Sequence, residues 1–223
     1  VITAPVERCW IHNNEFYSPS ITGPAESDKA EGDGSCDFKR GEYLTVSYNY
    51  FEGCHKTNLV GSSDTSLQYN LTYHHNVWKG CKARQPLGRQ ANIHFYNNQF
   101  IGTTDYAMNT RANAYIYSEY NLFFMTKNPM DVRSGAIKSY NDSFSSCIGS
   151  MTGTVVKDKS TKVTSGNKYE NFDTNASLSY IPSGDYQLQT SVTDAAKVLK
   201  AYNGCMPETV KRPENVTTSE CSL

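Results

Sequence analysis

The sequence predicts an all-β fold: a right-handed parallel β-helix with an asparagine ladder and a short C-terminal helix. Three observations carry this. Asn-x-Phe/Trp recurs as Asn14-Glu15-Phe16, Asn49-Tyr50-Phe51, Asn76-Val77-Trp78, Asn98-Gln99-Phe100 and Asn121-Leu122-Phe123, the last three intervals being 27, 22 and 23 residues. Each asparagine follows a short run of alternating character. Gly53, Gly80 and Gly102 each follow their asparagine by four residues. A strand, an asparagine turn and a glycine at that interval make one rung of a solenoid, which buries its apolar face only by stacking on its neighbours.

The strands come first in each rung. Five residues before each asparagine stand Cys9, Leu44, Leu71, Ile93 and Ile116, and three before stand Ile11, Val46, Tyr73, Phe95 and Ser118. Between them lie Trp10, Thr45, Thr72, His94 and Tyr117, so the period is two and one face points inward. His74 and His94 are accordingly expected on the outer surface. Stacked in parallel, equivalent positions lie about 4.8 Å apart, and each asparagine amide can bond to the next. An antiparallel sandwich gives no reason for one motif to recur in one register.

The whole chain, 1–223, reads as one domain, with clear rungs over 1–145 and irregular turns over 146–223. Ser146 to Lys168, rich in Ser, Thr, Gly and Lys, reads as turns and short strands. Val192, Ala195, Val198 and Leu199 at helical spacing predict a short amphipathic helix over about 191–202. The closing Pro-Glu-Asn-Val-Thr-Thr-Ser stretch is expected to be extended or mobile.

Composition narrows the function. A net charge of −1 gives no global field for nucleic acid, and no apolar run approaches the ~20 residues of a membrane span. The seven cysteines form no CxxC pair, which disfavours zinc. Cys54 and Cys81, each five residues after its asparagine, should stack as a disulfide or as buried thiols. Sequons at Asn70, Asn141, Asn175 and Asn215 suit a secreted glycoprotein.

Near-zero net charge hides a segregation. Residues 26–37 hold five acids, Glu26, Asp28, Glu31, Asp33 and Asp37, whereas no acid lies between Asp64 and Asp105, where Lys79, Lys82, Arg84 and Arg89 fall. Arg84 and Arg89 flank Pro86 in a stiff turn, and their planar forks suit carboxylates. Lys56 is seven residues after Asn49 and Arg84 eight after Asn76, so the two should sit on adjacent rungs. Carboxylates on a glycine-containing loop suit a hard cation such as Ca²⁺. An acidic patch beside a basic strip points to a uronic-acid polysaccharide. His55 is a candidate substrate contact, and Arg111 and Arg133, on later rungs, are candidates to extend a sugar-binding groove.

These residues carry a resemblance. Trp10-Ile11, Asp33-Gly34-Ser35-Cys36-Asp37-Phe38-Lys39, Thr45-Val46-Ser47-Tyr48-Asn49-Tyr50-Phe51, His55-Lys56-Thr57-Asn58-Leu59-Val60-Gly61, His75-Asn76, Arg84-Gln85-Pro86-Leu87-Gly88-Arg89 and His94-Phe95-Tyr96-Asn97-Asn98 resemble the pectate lyases of polysaccharide lyase family 1. The resemblance implies calcium-dependent β-elimination of polygalacturonate (pectate). In it Asp33 and Asp37 bind Ca²⁺, Lys56 and Arg89 bind substrate carboxylate, and Arg84 takes the C5 proton. Physical chemistry alone favours Lys56 as base, because an arginine neutral at pH 9 costs about 5 kcal/mol. Where the family usually has Trp-Ile-Asp-His, this chain has Trp10-Ile11-His12-Asn13. The family's first calcium-binding aspartate falls ahead of Val1, so a processed chain or a second polypeptide supplying N-terminal rungs is expected. A calcium-independent pectin lyase and a non-catalytic carbohydrate-binding β-helix are the alternatives.

Overall fold

The computed structural model describes residues 2, 5–17, 34–149, 155–157, 162–163, 172–173, 186 and 188–204. Within them three parallel sheets run along one solenoid. The longest stacks Trp10–His12, Gly41–Ser47, Gln68–His74, Ala91–Tyr96, Ala114–Glu119, Gly135–Tyr140, Val155–Lys157 and Phe172–Asp173. The second stacks Glu15–Tyr17, Tyr50–Glu52, Val77–Lys79, Gln99–Ile101, Leu122–Phe124, Ser143–Ser145 and Lys162–Val163. The third and shortest holds Leu59–Val60, Leu87–Arg89, Met108–Arg111 and Met130–Val132. The parallel β-helix expected from the repeat is therefore the fold.

The ladder links the first two sheets. Each Nδ2 donates to the next Oδ1, from Asn14 to Asn49 at 3.0 Å, Asn49 to Asn76 at 3.1 Å, Asn76 to Asn98 at 3.0 Å and Asn98 to Asn121 at 2.9 Å. The same oxygens accept the backbone N–H of the preceding ladder residue. Asparagine suits this because its amide carries acceptor and donor together. The residue before each ladder position is left-handed, from Asn13 at φ 53° to Tyr120 at φ 52°, which turns the chain from one sheet to the next. Non-glycine residues tolerate that strain, of order 1 kcal/mol each, because the ladder bonds over-determine the turn.

The aromatic of each Asn-x-Phe/Trp points inward. Phe16, Phe51, Trp78, Phe100, Phe123 and Phe144 stack with centroids 4.6, 5.4, 4.8, 4.6 and 4.8 Å apart. Leu44, Leu71, Ile93, Ile116 and Ile137 form a second fully buried column. Cys54, Cys81 and Cys147 continue the interior as reduced thiols, their S–H groups donating to Phe16, Phe51 and Phe123 carbonyls. Of the two states expected for Cys54 and Cys81, the structure shows buried thiols. Cys205 and Cys221 lie outside the described residues.

A sixth rung escapes the motif search. Asp142 stands in the ladder position, its Oδ1 accepting Asn121 Nδ2 at 3.1 Å and the Asn121 N–H at 2.8 Å. Its Oδ2 accepts the hydroxyls of Ser118 and Ser139 at 2.6 and 2.8 Å. Burial still dominates and pushes the Asp142 carboxyl up to about 7. Glycine is not obligatory in the next turn either: Gly53, Gly80 and Gly102 have φ of 66°, 60° and 67°, but Met125 and Ser146 take the same place at 50° and 54°. A Cβ at Gly53 or Gly80 would meet nothing within 4 Å, so glycine is there for its torsion.

His74 and His94, expected on the surface, are buried at 1% and 4% exposure. For His94 the cause is a distant piece of chain. Tyr186 packs edge-on against His94 and donates to Glu119, which also binds His94 Nε2 at 2.7 Å. Gln189 pairs with Asn97 through its N–H and carbonyl and with His75 Nε2 through its side chain. Neighbouring rings complete the cover of His74, which stacks on Tyr96 at 4.8 Å. The expected helix spans Val192–Tyr202, capped by Ser191, with Ala195 and Leu199 inward. Among the described residues no helix is long and apolar enough to cross a membrane. Of the stretch 146–168, strands are described at Val155–Lys157 and Lys162–Val163; the C-terminal tail lies outside the described residues.

Candidate active site

The short sheet and the turns leading into it collect the basic residues. Lys56 pairs with Ala83 in a parallel bridge, placing Lys56 and Arg84 on adjacent rungs as the sequence spacing requires. Asn58 locks them in register, its N–H donating to the Arg84 carbonyl at 2.7 Å. Its side chain spans the core, donating to the Cys36 carbonyl at 3.2 Å and accepting from Trp78 Nε1 at 2.8 Å. The segment after Arg84 is equally pinned. Arg84 is left-handed at φ 59°, and the Gln85–Pro86 bond is cis. Gln85 is buried, its N–H donating to Ala107 O at 2.9 Å and its Oε1 accepting from Thr103 at 2.8 Å. Arg84 is half-buried, and its Nε has no hydrogen-bond partner among the described residues.

Arg89 and Arg111 are direct register partners. Arg133 follows Val132, the register partner of Thr110, and its N–H donates to the Thr110 carbonyl at 2.9 Å, which puts it one rung beyond Arg111. All three guanidiniums are held through Nε: Arg89 by Asp64 Oδ1 at 3.0 Å, Arg111 by Asn109 Oδ1 at 3.1 Å and Arg133 by Asp131 Oδ2 at 2.9 Å. Burial pulls Arg89 below the usual arginine range, and the charges of Arg111 and Arg84 add to this against the opposing pull of Asp64. Three arginines therefore share one field on this flank.

The acidic half is partly in view. Asp33 lies outside the described residues. Asp37 is half-buried, its Oδ1 accepting the Leu59 N–H at 2.8 Å. A Cβ on Gly34 would fall 2.8 Å from Asp37 Oδ2, so glycine there leaves room against the carboxylate. An oxygen donor of this kind suits a calcium ligand. Among the described residues no group of three acidic, His or Cys side chains gathers into a metal site.

His55, a candidate substrate contact, is buried at 3% exposure, and its carbonyl accepts the Ala83 N–H. Sequence reasoning also missed Asp64, Asn109 and Asp131. The signal for the last two was present: Asn109-x-Arg111 and Asp131-x-Arg133 place a polar residue two before the arginine, on the same strand face.

Comparison with known proteins bears on this arrangement. A family model described as pectate lyase matches residues 2–207. Pectate lyase B of Dickeya chrysanthemi is 37% identical over 128 residues, covering 56% of this chain and 34% of its own length. Pectate lyase 2 of Pectobacterium carotovorum is 36% identical over 128 residues, with the same coverage of both chains. The chain thus spans about a third of the length of these relatives. Among solved structures, pectate lyase C from Erwinia chrysanthemi, determined with Ca²⁺, superposes with a TM-score of 0.69 at 26% identity, covering 96% of this chain and 61% of that one. A pectate lyase from Bacillus sp. N165 in complex with trigalacturonate gives a TM-score of 0.63 at 31% identity, covering 89% and 60%. With its repeat, its basic flank and a family match over most of its length, this chain belongs to the pectate lyase family.

Proposed function

We propose that this chain carries the basic half of a calcium-dependent pectate lyase that cleaves polygalacturonate by β-elimination. The observation that supports the reading best is the convergence of Lys56, Arg84 and Arg89 on one flank of a chain in this family. Lys56 and Arg89 bind the uronate carboxylate, and Arg89 does so from a guanidinium already oriented by Asp64. Neutralising that carboxylate acidifies the adjacent C–H and stabilises the enolate-like charge that develops on losing its proton. Arg84, on the rung beside Lys56, takes the C5 proton, and the 4-linked sugar departs to leave an unsaturated end. Asp37 and Asp33 would hold calcium, which supplies further charge neutralisation at the same carboxylate. Secretion would deliver the protein to pectate outside the cell.

The test is absorbance of the unsaturated product on polygalacturonate at alkaline pH, with and without chelator, using the longest natural form of the chain. Chelator-sensitive product formation is expected. Chelator-insensitive formation would instead indicate a pectin-lyase type of activity, and no product a carbohydrate-binding relative.

A further inference from the structure

Arg89 and Arg111 are register partners on strands about 4.8 Å apart, and Arg133 lies one rung further on, just past Val132, the partner of Thr110. Like charges in a column repel, and the fold spends polar contacts on keeping them there. Among the described residues each is gripped only through Nε by an oxygen of the solenoid, apart from a long contact of 3.4 Å from one terminal nitrogen of Arg89 to the Gly61 carbonyl. A guanidinium held at Nε keeps its two terminal nitrogens for an end-on pair of bonds to a carboxylate.

Asp131 stands out among the grips. Its side chain is 1% exposed, yet its Oδ2 accepts both Arg133 Nε and, at 2.6 Å, Asn109 Nδ2. Asn109 Oδ1 in turn accepts Arg111 Nε, so Arg133, Asp131, Asn109 and Arg111 form one chain of hydrogen bonds across two rungs. The other oxygen, Oδ1, is buried with no partner among the described residues. Burying a carboxylate in this way is unfavourable unless it places something, and what it holds is the outermost arginine, 48% exposed and facing solvent.

We propose that Arg133, oriented by Asp131, is a carboxylate-binding position one rung beyond Arg111, so that the groove grips a polyuronate along the solenoid axis and reads its length. This rests on the pectate-binding reading of the same flank. Arg133 would touch the ligand; Asp131 is a positioning residue.

The test is binding of oligogalacturonates of defined length, trimer to hexamer, in calcium by calorimetry, without reference to turnover. For the unaltered chain affinity should rise with length. Arg133→Gln should remove roughly tenfold of that rise, as expected for a charge-assisted bond. Asp131→Asn should remove a similar share, and the double variant should be no weaker than either single one, because both changes disable one device. A length profile unaltered by Arg133→Gln, or additive losses in the double variant, would overturn the proposal. Thermal unfolding of each variant identifies misfolding, and Arg133→Gln, at an exposed side chain, tests the proposal even if Asp131→Asn does not fold. Length-graded binding without product formation would sink the lyase reading while leaving this one standing.

Discussion

The solenoid carries two ladders with the same spacing and opposite character. Inside, Asn14 to Asn121 repeat one amide, and each copy satisfies the next because an amide both donates and accepts. Outside, Arg89, Arg111 and Arg133 repeat one cation, a pure donor that cannot satisfy its copy. Parallel stacking multiplies whatever side chain it is given. A self-complementary group then becomes part of the fold, and a self-repelling one becomes a demand for something the protein lacks, here a row of anions.

The inner ladder should break most sharply. Asn98 Nδ2 donates to Tyr73 O, Tyr96 O and Asn121 Oδ1, and its oxygen serves Asn76. Asn98→Ala leaves several buried groups unpaired and should lower unfolding free energy by about 4 kcal/mol, measured by denaturant titration. A loss below about 1 kcal/mol would mean that water replaces the amide.

The ladder's last step sharpens the point, because Asp142 is an acceptor where the pattern wants an amide. With its carboxyl pushed up to about 7 by burial, the folded state favours the protonated form, whereas the unfolded chain ionises near the ordinary aspartate value of 3.8. The stability from this group is full below about 3.8 and is lost as pH rises to about 7. Asp142→Asn should therefore gain stability relative to the parent on going from pH 4 to pH 8, on the order of 3 kcal/mol. A pH-independent difference would show that the four donors around Asp142 keep its charge stable.

On the outer side, Arg84→Lys keeps the cation but moves the nitrogen. The expectation is a fall in kcat of about a hundredfold with a smaller change in KM. If KM alone changed, Arg84 would be a clamp like Arg89.

How far the sequence disclosed this follows the same division. The inner ladder was legible from Asn14 to Asn121 because stacking forces one residue type into one register. It faded at Asp142 and Met125, where a different side chain met the same geometric need. Lys56 and Arg84 could be paired by counting from their asparagines, since that count measures position around the rung. His94 could not be read, because what covers it arrives from Tyr186, far along the chain and outside any repeat, and His74 could not because the rings of Tyr48, His75 and Tyr96 close around it. The burial of His55 was not legible either, because strand alternation does not govern a turn between sheets.

The segment from Tyr186 to Gly204 has one more consequence. It meets Glu119, then Asn97, and ends where Asn203 Nδ2 donates to the carbonyls of both Asn49 and His75 and the Gly204 N–H donates to Tyr48. It thus runs back along the outside, lacing rungs that would otherwise touch only their neighbours. A bare solenoid can fray one rung at a time. A laced one must shed its lace first, so amide exchange at Tyr48, His75 and Asn97 should proceed as one cooperative event, and the rungs that carry Lys56 and Arg84 should open together or not at all.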